Sequence, residues 1–199
     1  MNVTCIVGSP REKGNCALIA GALVDLLTEH GAPARTYELN KLVYRGCQDC
    51  QTCKTTSESC GTEDDLSPLL ADIGGSDVVV ASTPIYFGEV TAQFKSLIDR
   101  LYSYLPPDFI TNREATRLPT GKQLALIVTQ GSPDEGEFGD IVERYQSLFR
   151  RLGFEEVYPI RACGVEIGAV SQIDEATMAL VRETAAKILG AAARIPGAA

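Results

Sequence analysis

The chain has 199 residues, of which 45% are hydrophobic and 22% charged, a composition typical of a globular protein with one sizeable core. Its net charge of −8 makes nucleic acids and anionic membranes poor partners, because both attract positive protein surfaces. No apolar run approaches the roughly 20 residues of a membrane helix, and the N-terminus lacks a secretory signal pattern. We therefore expect a cytoplasmic protein without a membrane partner.

Short apolar runs alternate with segments of helical periodicity along the chain. Strands are predicted at residues 2–7, 34–39, 77–82, 122–129 and 155–163, with helices at 15–29, 63–73, 90–101, 141–152 and 178–188. The alternating order predicts an α/β fold with a doubly wound, five-stranded parallel sheet and helices on both faces. We expect a single domain over residues 1–199, with a cysteine-rich loop at 42–62, a long loop at 102–121 and a frayed tail at 191–199.

The loop after the first strand has the composition of a phosphate site. Backbone N–H groups at the start of the following helix attract anions, and Ser9 and Asn15 add neutral donors. Arg11 can bind a phosphate through two bonds, while Gly14 lets the backbone approach closely. The loop lacks both G-x-G-x-x-G and G-K-[S/T], so a monophosphate such as that of FMN fits better than a dinucleotide or a nucleoside triphosphate. A structural turn in which Ser9 or Asn15 only caps the helix is the alternative.

The loop predicted after the third strand, at residues 83–88, exposes bulky apolar side chains in succession. Pro84, Ile85, Tyr86, Phe87 and Gly88 are candidates for the apolar wall that a planar isoalloxazine ring needs. The alternative is that the aromatic side chains, Phe87 in particular, pack on the core or on a neighbouring subunit.

Together these loops resemble the flavodoxin-like NADPH-dependent FMN reductase family. The resemblance rests on residues 8–11, 14–15, 82–88 and 91–95. It implies that Ser9, Arg11, Asn15 and Cys16 hold the FMN phosphate, that residues 84–88 hold the ring, and that Gly131 in the loop 129–132 lies at the ring edge.

Cys16 departs from this pattern, because the family usually carries Ser or Thr at that position. A contact through the backbone N–H would be unaffected by the change. A contact through a hydroxyl would be lost or weakened.

Seven cysteines is an odd number, and four of them have the spacing C-x2-C-x2-C-x6-C. In a cytoplasmic chain, such clustering favours metal or redox chemistry over disulfides. The spacing resembles the iron–sulfur flavoprotein branch of the same family, which implies a [4Fe–4S] cluster bound by Cys47, Cys50, Cys53 and Cys60. A four-cysteine zinc site and a set of free thiols are the alternatives.

Because a flavin carries its own redox chemistry, we expect no catalytic protein side chain. The resemblance implies an FMN-dependent oxidoreductase that moves electrons from NAD(P)H or a ferredoxin-like donor to a small-molecule acceptor. It also implies a homodimer or homotetramer. A non-enzymatic electron carrier and a cluster-free NAD(P)H-dependent flavin or quinone reductase are the alternative functions.

Overall fold

The computed structural model describes residues 1–165 and 172–192. Its strands are β1 (Val3–Val7), β2 (Ala34–Glu38), β3 (Val78–Tyr86), β4 (Glu89–Val90), β5 (Gln123–Thr129) and β6 (Glu156–Ala162). Its helices are α1 (Asn15–Thr28), α2 (Thr52–Thr55), α3 (Leu66–Gly75), α4 (Ala92–Arg100), α5 (Gly139–Leu152) and α6 (Glu175–Ala192). Residues 193–199, which hold most of the predicted tail, lie outside the described residues, whereas residues 191–192 end α6.

Five strands form a parallel sheet in the order β2-β1-β3-β5-β6. The sixth, β4, pairs antiparallel with the end of β3. The predicted five-stranded parallel sheet is therefore confirmed, with one short hairpin strand added. The change of direction in strand order lies at β1 and β3, which is where sheets of this kind bind ligands.

Helices cover both faces of the sheet, as the sequence predicts. Along β3, Val79 and Ala81 belong to one hydrophobic cluster, whereas Val78 and Val80 belong to the other. Helices α3, α4 and α5 contribute to the first cluster, and α1 and α6 to the second. Alternate residues of a strand point to opposite faces, so a run of consecutive apolar residues is what a strand buried on both sides requires.

The predicted loop at residues 83–88 is wrong for most of its length. Strand β3 continues beyond its pairing with β1, because Thr83 and Pro84 still pair with β5, and Tyr86 pairs with Glu89 of β4. Only Phe87 and Gly88 form a turn. Val90 consequently lies in β4 and not at the start of the helix, which begins at residue 92.

The two other predicted irregular segments are largely as expected. Residues 42–62 contain only the short helix α2, and residues 102–121 contain only the end of a 3-10 turn, Leu101–Tyr104. Within residues 1–165 and 172–192, no helix combines the length and apolarity needed to cross a bilayer.

Thr91 joins three parts of the fold at the start of α4. Its hydroxyl accepts a hydrogen bond from the N–H of Phe94 at 3.2 Å and donates to the carbonyl of Gly8 at 2.7 Å. Its own N–H donates to the hydroxyl of Thr83 at 3.2 Å. Because Thr91 is 1% exposed, water cannot replace these partners.

We expect Thr91→Val to lower the free energy of unfolding by about 2–3 kcal/mol, because it leaves a buried N–H and a buried carbonyl without their partner. Thr91→Ser keeps the hydroxyl and is the matched control, for which we expect a loss below about 1 kcal/mol. Urea unfolding followed by circular dichroism measures both changes. Equal losses for the two variants would contradict the role assigned to the hydroxyl.

Candidate functional site

A cavity of about 270 Å³ opens at the carboxyl ends of β1, β3 and β5. Three segments of the chain line it, as expected for an open parallel sheet. The lining residues are Ser9, Arg11, Gly14, Asn15, Cys16, Pro84, Ile85, Tyr86, Thr129, Gln130, Gly131 and Val165. Of the eleven residues predicted to bind the cofactor, the structure brings all but Phe87 and Gly88 together here.

The loop after β1 is held in shape by its own backbone and one hydroxyl. The Ser9 hydroxyl accepts a hydrogen bond from the N–H of Arg11 at 3.1 Å, and the N–H of Gly14 donates to the Arg11 carbonyl at 3.2 Å. Gly14 precedes α1, whose first turn contains no acidic residue. The positive end of the helix dipole and the Arg11 guanidinium therefore both act on the same end of the cavity.

The side chain of Cys16 has a structural contact. Its Sγ lies 3.3 Å from Oγ1 of Thr129, and both residues are buried. Burial raises the pKa of the Cys16 thiol to about 12, so it is neutral at physiological pH. Since the thiol connects α1 to the end of β5, the backbone of Cys16, and not its side chain, is the group suited to an anion.

The apolar side of the cavity comes from the end of β3. Pro84, Ile85 and Tyr86 line it as strand residues, and Tyr86 is 40% exposed. The next two residues form a tight turn with φ of 49° at Phe87 and 81° at Gly88, the combination found in type I′ hairpins. Phe87 lies fully exposed at the tip of the turn, outside the cavity.

The third side of the cavity, at residues 129–131, is held in place by the side chains of Gln130 and Arg161. The sequence does not predict this role for either side chain. Gln130 donates to the carbonyls of Ser132 at 3.1 Å and Asp134 at 3.0 Å. Its amide oxygen accepts two hydrogen bonds from Arg161, at 3.1 and 2.6 Å. A charged residue near the end of the apolar strand β6 was the signal available for Arg161.

The four clustered cysteines line a second, smaller cavity of about 20 Å³. Cys47 and Cys50 are exposed, Cys53 is buried and Cys60 is partly buried. Among the described residues, no three His, Cys, Asp or Glu side chains are arranged to hold a single metal ion. The thiols thus share one cavity without forming a preorganised single-ion site.

The backbone turns sharply on both sides of Cys50. Asp49 and Gln51 have φ of 50° and 57°, the left-handed conformation that non-glycine residues rarely adopt. Hydrogen bonds from the hydroxyl and N–H of Thr52 lower the pKa of the Cys50 thiol. Such turns direct backbone N–H groups into a concave surface, a feature of many iron–sulfur and phosphate sites.

Arg100 at the end of α4 closes the cysteine cavity. Its Nε donates to Sγ of Cys60 at 2.9 Å, and its Nη1 to Oδ2 of Asp64 at 2.8 Å. The same guanidinium donates to the carbonyls of Arg45 at 3.0 Å and Thr62 at 2.6 Å. Burial opposes ionisation of Asp64, but the hydrogen bonds from Arg100 and from the N–H groups of Arg45 and Leu66 outweigh it and lower the pKa of this carboxyl. The role of Arg100 is not visible in the local sequence, because its partners come from the distant segment between Arg45 and Asp64.

Two curated proteins are similar to parts of this chain. An iron-sulfur flavoprotein from Archaeoglobus fulgidus is 29% identical over 135 residues, which cover 68% of this chain and 58% of that protein. Another from Methanocaldococcus jannaschii is 34% identical over 105 residues, 53% of this chain and 52% of that protein. The chain thus spans little more than half the length of these curated relatives.

Solved structures give the same fold. The structure of the NAD(P)H:quinone oxidoreductase from Methanothermobacter marburgensis superposes with a TM-score of 0.70 at 16% identity, covering 94% of this chain and 97% of that one. This likeness confirms the flavodoxin-like fold.

The model of the family described as NADPH-dependent FMN reductase matches residues 1–144. This match covers the loop after β1, the four clustered cysteines, β3 and α4, and it confirms the resemblance drawn from the sequence together with FMN as the cofactor. The chain belongs to the NADPH-dependent FMN reductase family.

Proposed function

We propose that this protein is an FMN-dependent oxidoreductase that takes electrons from NAD(P)H and passes them to a small-molecule acceptor of the quinone type. The observation that carries the proposal is the cavity at the carboxyl ends of β1, β3 and β5, with a cationic end and an apolar wall. Of the described residues that line it, none is acidic, although the whole chain carries a net charge of −8. A local excess of positive charge in an acidic protein favours a ligand with a negative group.

The residues present fit FMN. Arg11, the Ser9 region and the first turn of α1 would hold the phosphate, while Pro84, Ile85 and Tyr86 would contact the ring. The backbone of residues 130–131 would bind the polar edge of the ring. When bound, FMN would supply the redox chemistry, because a flavin can accept a hydride and release electrons. The protein's part is to bind and orient the flavin, and the neutral thiol of Cys16 supplies no proton at physiological pH.

The loop after β1 contains two glycines at positions where a side chain would crowd neighbouring atoms. A Cβ added at Gly8 would lie 2.8 Å from the Ser82 carbonyl and 2.9 Å from the Phe94 ring. One added at Gly14 would lie 3.1 Å from Cβ of Arg11. Glycine at these positions lets the loop fold tightly against β3, which leaves the space in front of α1 for the phosphate.

We expect Arg11→Gln to weaken FMN binding about tenfold, or about 1.4 kcal/mol, because a charge-assisted contact to the phosphate is lost. Riboflavin has no phosphate, so its affinity should change less than twofold. Lys13→Gln removes the same charge from the same loop outside the cavity and is the matched control. Fluorescence titration measures the affinity of Arg11→Gln for FMN and for riboflavin, and that of the control Lys13→Gln for FMN, which should be unchanged. An equal loss for FMN and riboflavin would contradict a phosphate contact.

We also propose that Cys47, Cys50, Cys53 and Cys60 bind a [4Fe–4S] cluster. Three observations support this: the four thiols line one cavity, left-handed residues flank Cys50, and the Arg100 guanidinium contacts one of the sulfurs. A cluster bound by four thiolates is anionic, so a buried cation beside it fits its charge. The relatives named iron-sulfur flavoproteins agree with this choice.

Anaerobic purification with FMN, iron and acid-labile sulfide counted per chain tests both proposals. We expect one FMN with about four iron and four sulfide. Cys50→Ser should lose the iron, whereas Cys163→Ser, outside the set, should keep it. Anaerobic addition of NADH or NADPH should bleach the flavin, and benzoquinone should restore its colour.

Each contrary outcome selects one alternative. FMN without iron would overturn the cluster and leave a cluster-free reductase. Reduction by a ferredoxin but by neither NADH nor NADPH would overturn the enzyme in favour of an electron carrier. Absence of flavin after reconstitution with FMN would overturn the main proposal.

We further infer a homodimer or homotetramer in a reducing compartment such as the cytoplasm. A groove of about 730 Å³ between α4 and α5 is lined by the partly buried Tyr102 and Leu148 and by charges of both signs, among them Arg144 and Glu89. A patch of that kind can pair with its own copy. All seven cysteines are free, which suits a reducing compartment.

A further inference from the structure

Arg100 stands out among the cations near the cysteine cavity because of what it touches. Lys54 donates to the carbonyls of Tyr102 at 2.7 Å and Leu105 at 2.5 Å, and its ammonium also interacts with the side chain of Cys53. Arg117 likewise donates to the carbonyl of Cys53 at 2.8 Å. Arg100 donates to the sulfur of Cys60 at 2.9 Å from a fully buried position, and the same guanidinium is paired with a carboxylate, Asp64.

The surroundings of Arg100 make its charge effective. The side chain is fully buried, so water does not screen the guanidinium from the adjacent sulfur. Removing such a cation from water is costly unless an anion and good acceptors replace the water. Asp64 supplies the anion, with its side chain 13% exposed, and two backbone carbonyls supply the remaining acceptors.

The contact to Cys60 is the unusual part of this arrangement. A neutral thiol is a weak acceptor, whereas a sulfur that binds iron carries negative charge and accepts well. The carbonyls and Asp64 already account for both terminal nitrogens of Arg100, so Nε is directed at the sulfur. The guanidinium thus lies between a carboxylate and a cluster ligand, in contact with both.

We propose that Arg100 and Asp64 together set the reduction potential of the iron–sulfur centre, Arg100 raising it and Asp64 limiting the rise. This inference rests on the proposed cluster. Addition of one electron adds one negative charge at the site, which a cation in hydrogen-bond contact with a ligand sulfur stabilises. Hydrogen bonds to sulfur and the net charge nearby are known determinants of such potentials. Asp64 partly neutralises the same cation, so its effect has the opposite sign.

The two residues are therefore expected to shift the potential in opposite directions. Arg100→Gln removes the cation and should lower the midpoint potential. Asp64→Asn removes the anion, leaves Arg100 uncompensated and should raise it. The double variant should lie between the two. Arg117→Gln is the comparison variant: it removes a cation that donates to the carbonyls of Cys53, Ser103 and Leu105, so it should lower the potential by less than Arg100→Gln does.

The measurement is an anaerobic redox titration of each reconstituted full-length variant with dithionite as the electron source. Electron paramagnetic resonance follows the reduced centre, and FMN, iron and sulfide are counted per chain. If Arg100→Gln fails to retain iron, Arg100→Lys replaces it; this variant keeps the charge but loses the Nε donor, and a lowered potential is again expected.

The outcomes distinguish the presence of the cluster from the role of Arg100 and Asp64 in setting its potential. Wild-type protein with FMN but without iron overturns the cluster, and the role of Arg100 with it. Iron at wild-type content with unshifted potentials overturns only the role of Arg100 and Asp64. Shifts of the same sign in Arg100→Gln and Asp64→Asn would also overturn it, because a purely structural disturbance has no reason to distinguish a cation from an anion.

Discussion

The position of Gly8 is the constraint on which both cavities depend. Its N–H donates to the Ser82 carbonyl at 2.7 Å, and its own carbonyl accepts from the Thr91 hydroxyl at 2.7 Å. Neither contact leaves space for a side chain, since a Cβ would lie 2.9 Å from the Phe94 ring. This one residue follows β1, begins the loop that lines the cavity at the strand ends and fixes the start of α4 against the central strand. The loop and the helix are therefore placed together, by the same two hydrogen bonds.

Helix α4 extends from the cavity at the strand ends to the cysteine cavity. It begins after Thr91, beside the loop that follows β1, and ends at Arg100, whose guanidinium contacts Cys60. Its nine residues span about 13 Å along the helix axis, given a rise of about 1.5 Å per residue. Phe94 and Leu97 bury its inner face in the core. Because a packed helix is stiff, the cavity at the strand ends and the cysteine cavity are held at a fixed separation by an element that belongs to the fold and not to either loop.

The parts of this structure that the sequence predicts are those set by local patterns. The run Val78–Val79–Val80 identifies a strand buried on both faces, and the glycines and polar residues after β1 predict a loop that lines a cavity at the strand ends. The hairpin at Phe87 escapes such reasoning, because a phenylalanine with φ of 49° lacks the Asn-Gly signature of a type I′ turn. Pro84 also argues locally for a loop, yet it lies in β3, where pairing with β5 is decided by residues more than forty positions away.

In the cysteine site, too, some features follow from local sequence patterns and others from contacts between distant residues. The C-x2-C-x2-C spacing is local, so the sequence alone predicts that Cys47, Cys50 and Cys53 lie close together, and all three line one cavity. Cys60 is held by Arg100, forty positions later, and Arg100 is held in turn by Asp64. A buried arginine is tolerated only where distant segments supply its anion and acceptors, and no motif encodes that. The motif thus specifies the cysteines, whereas the cation beside Cys60 comes from α4, whose other end is fixed by the hydrogen bond between Thr91 and Gly8.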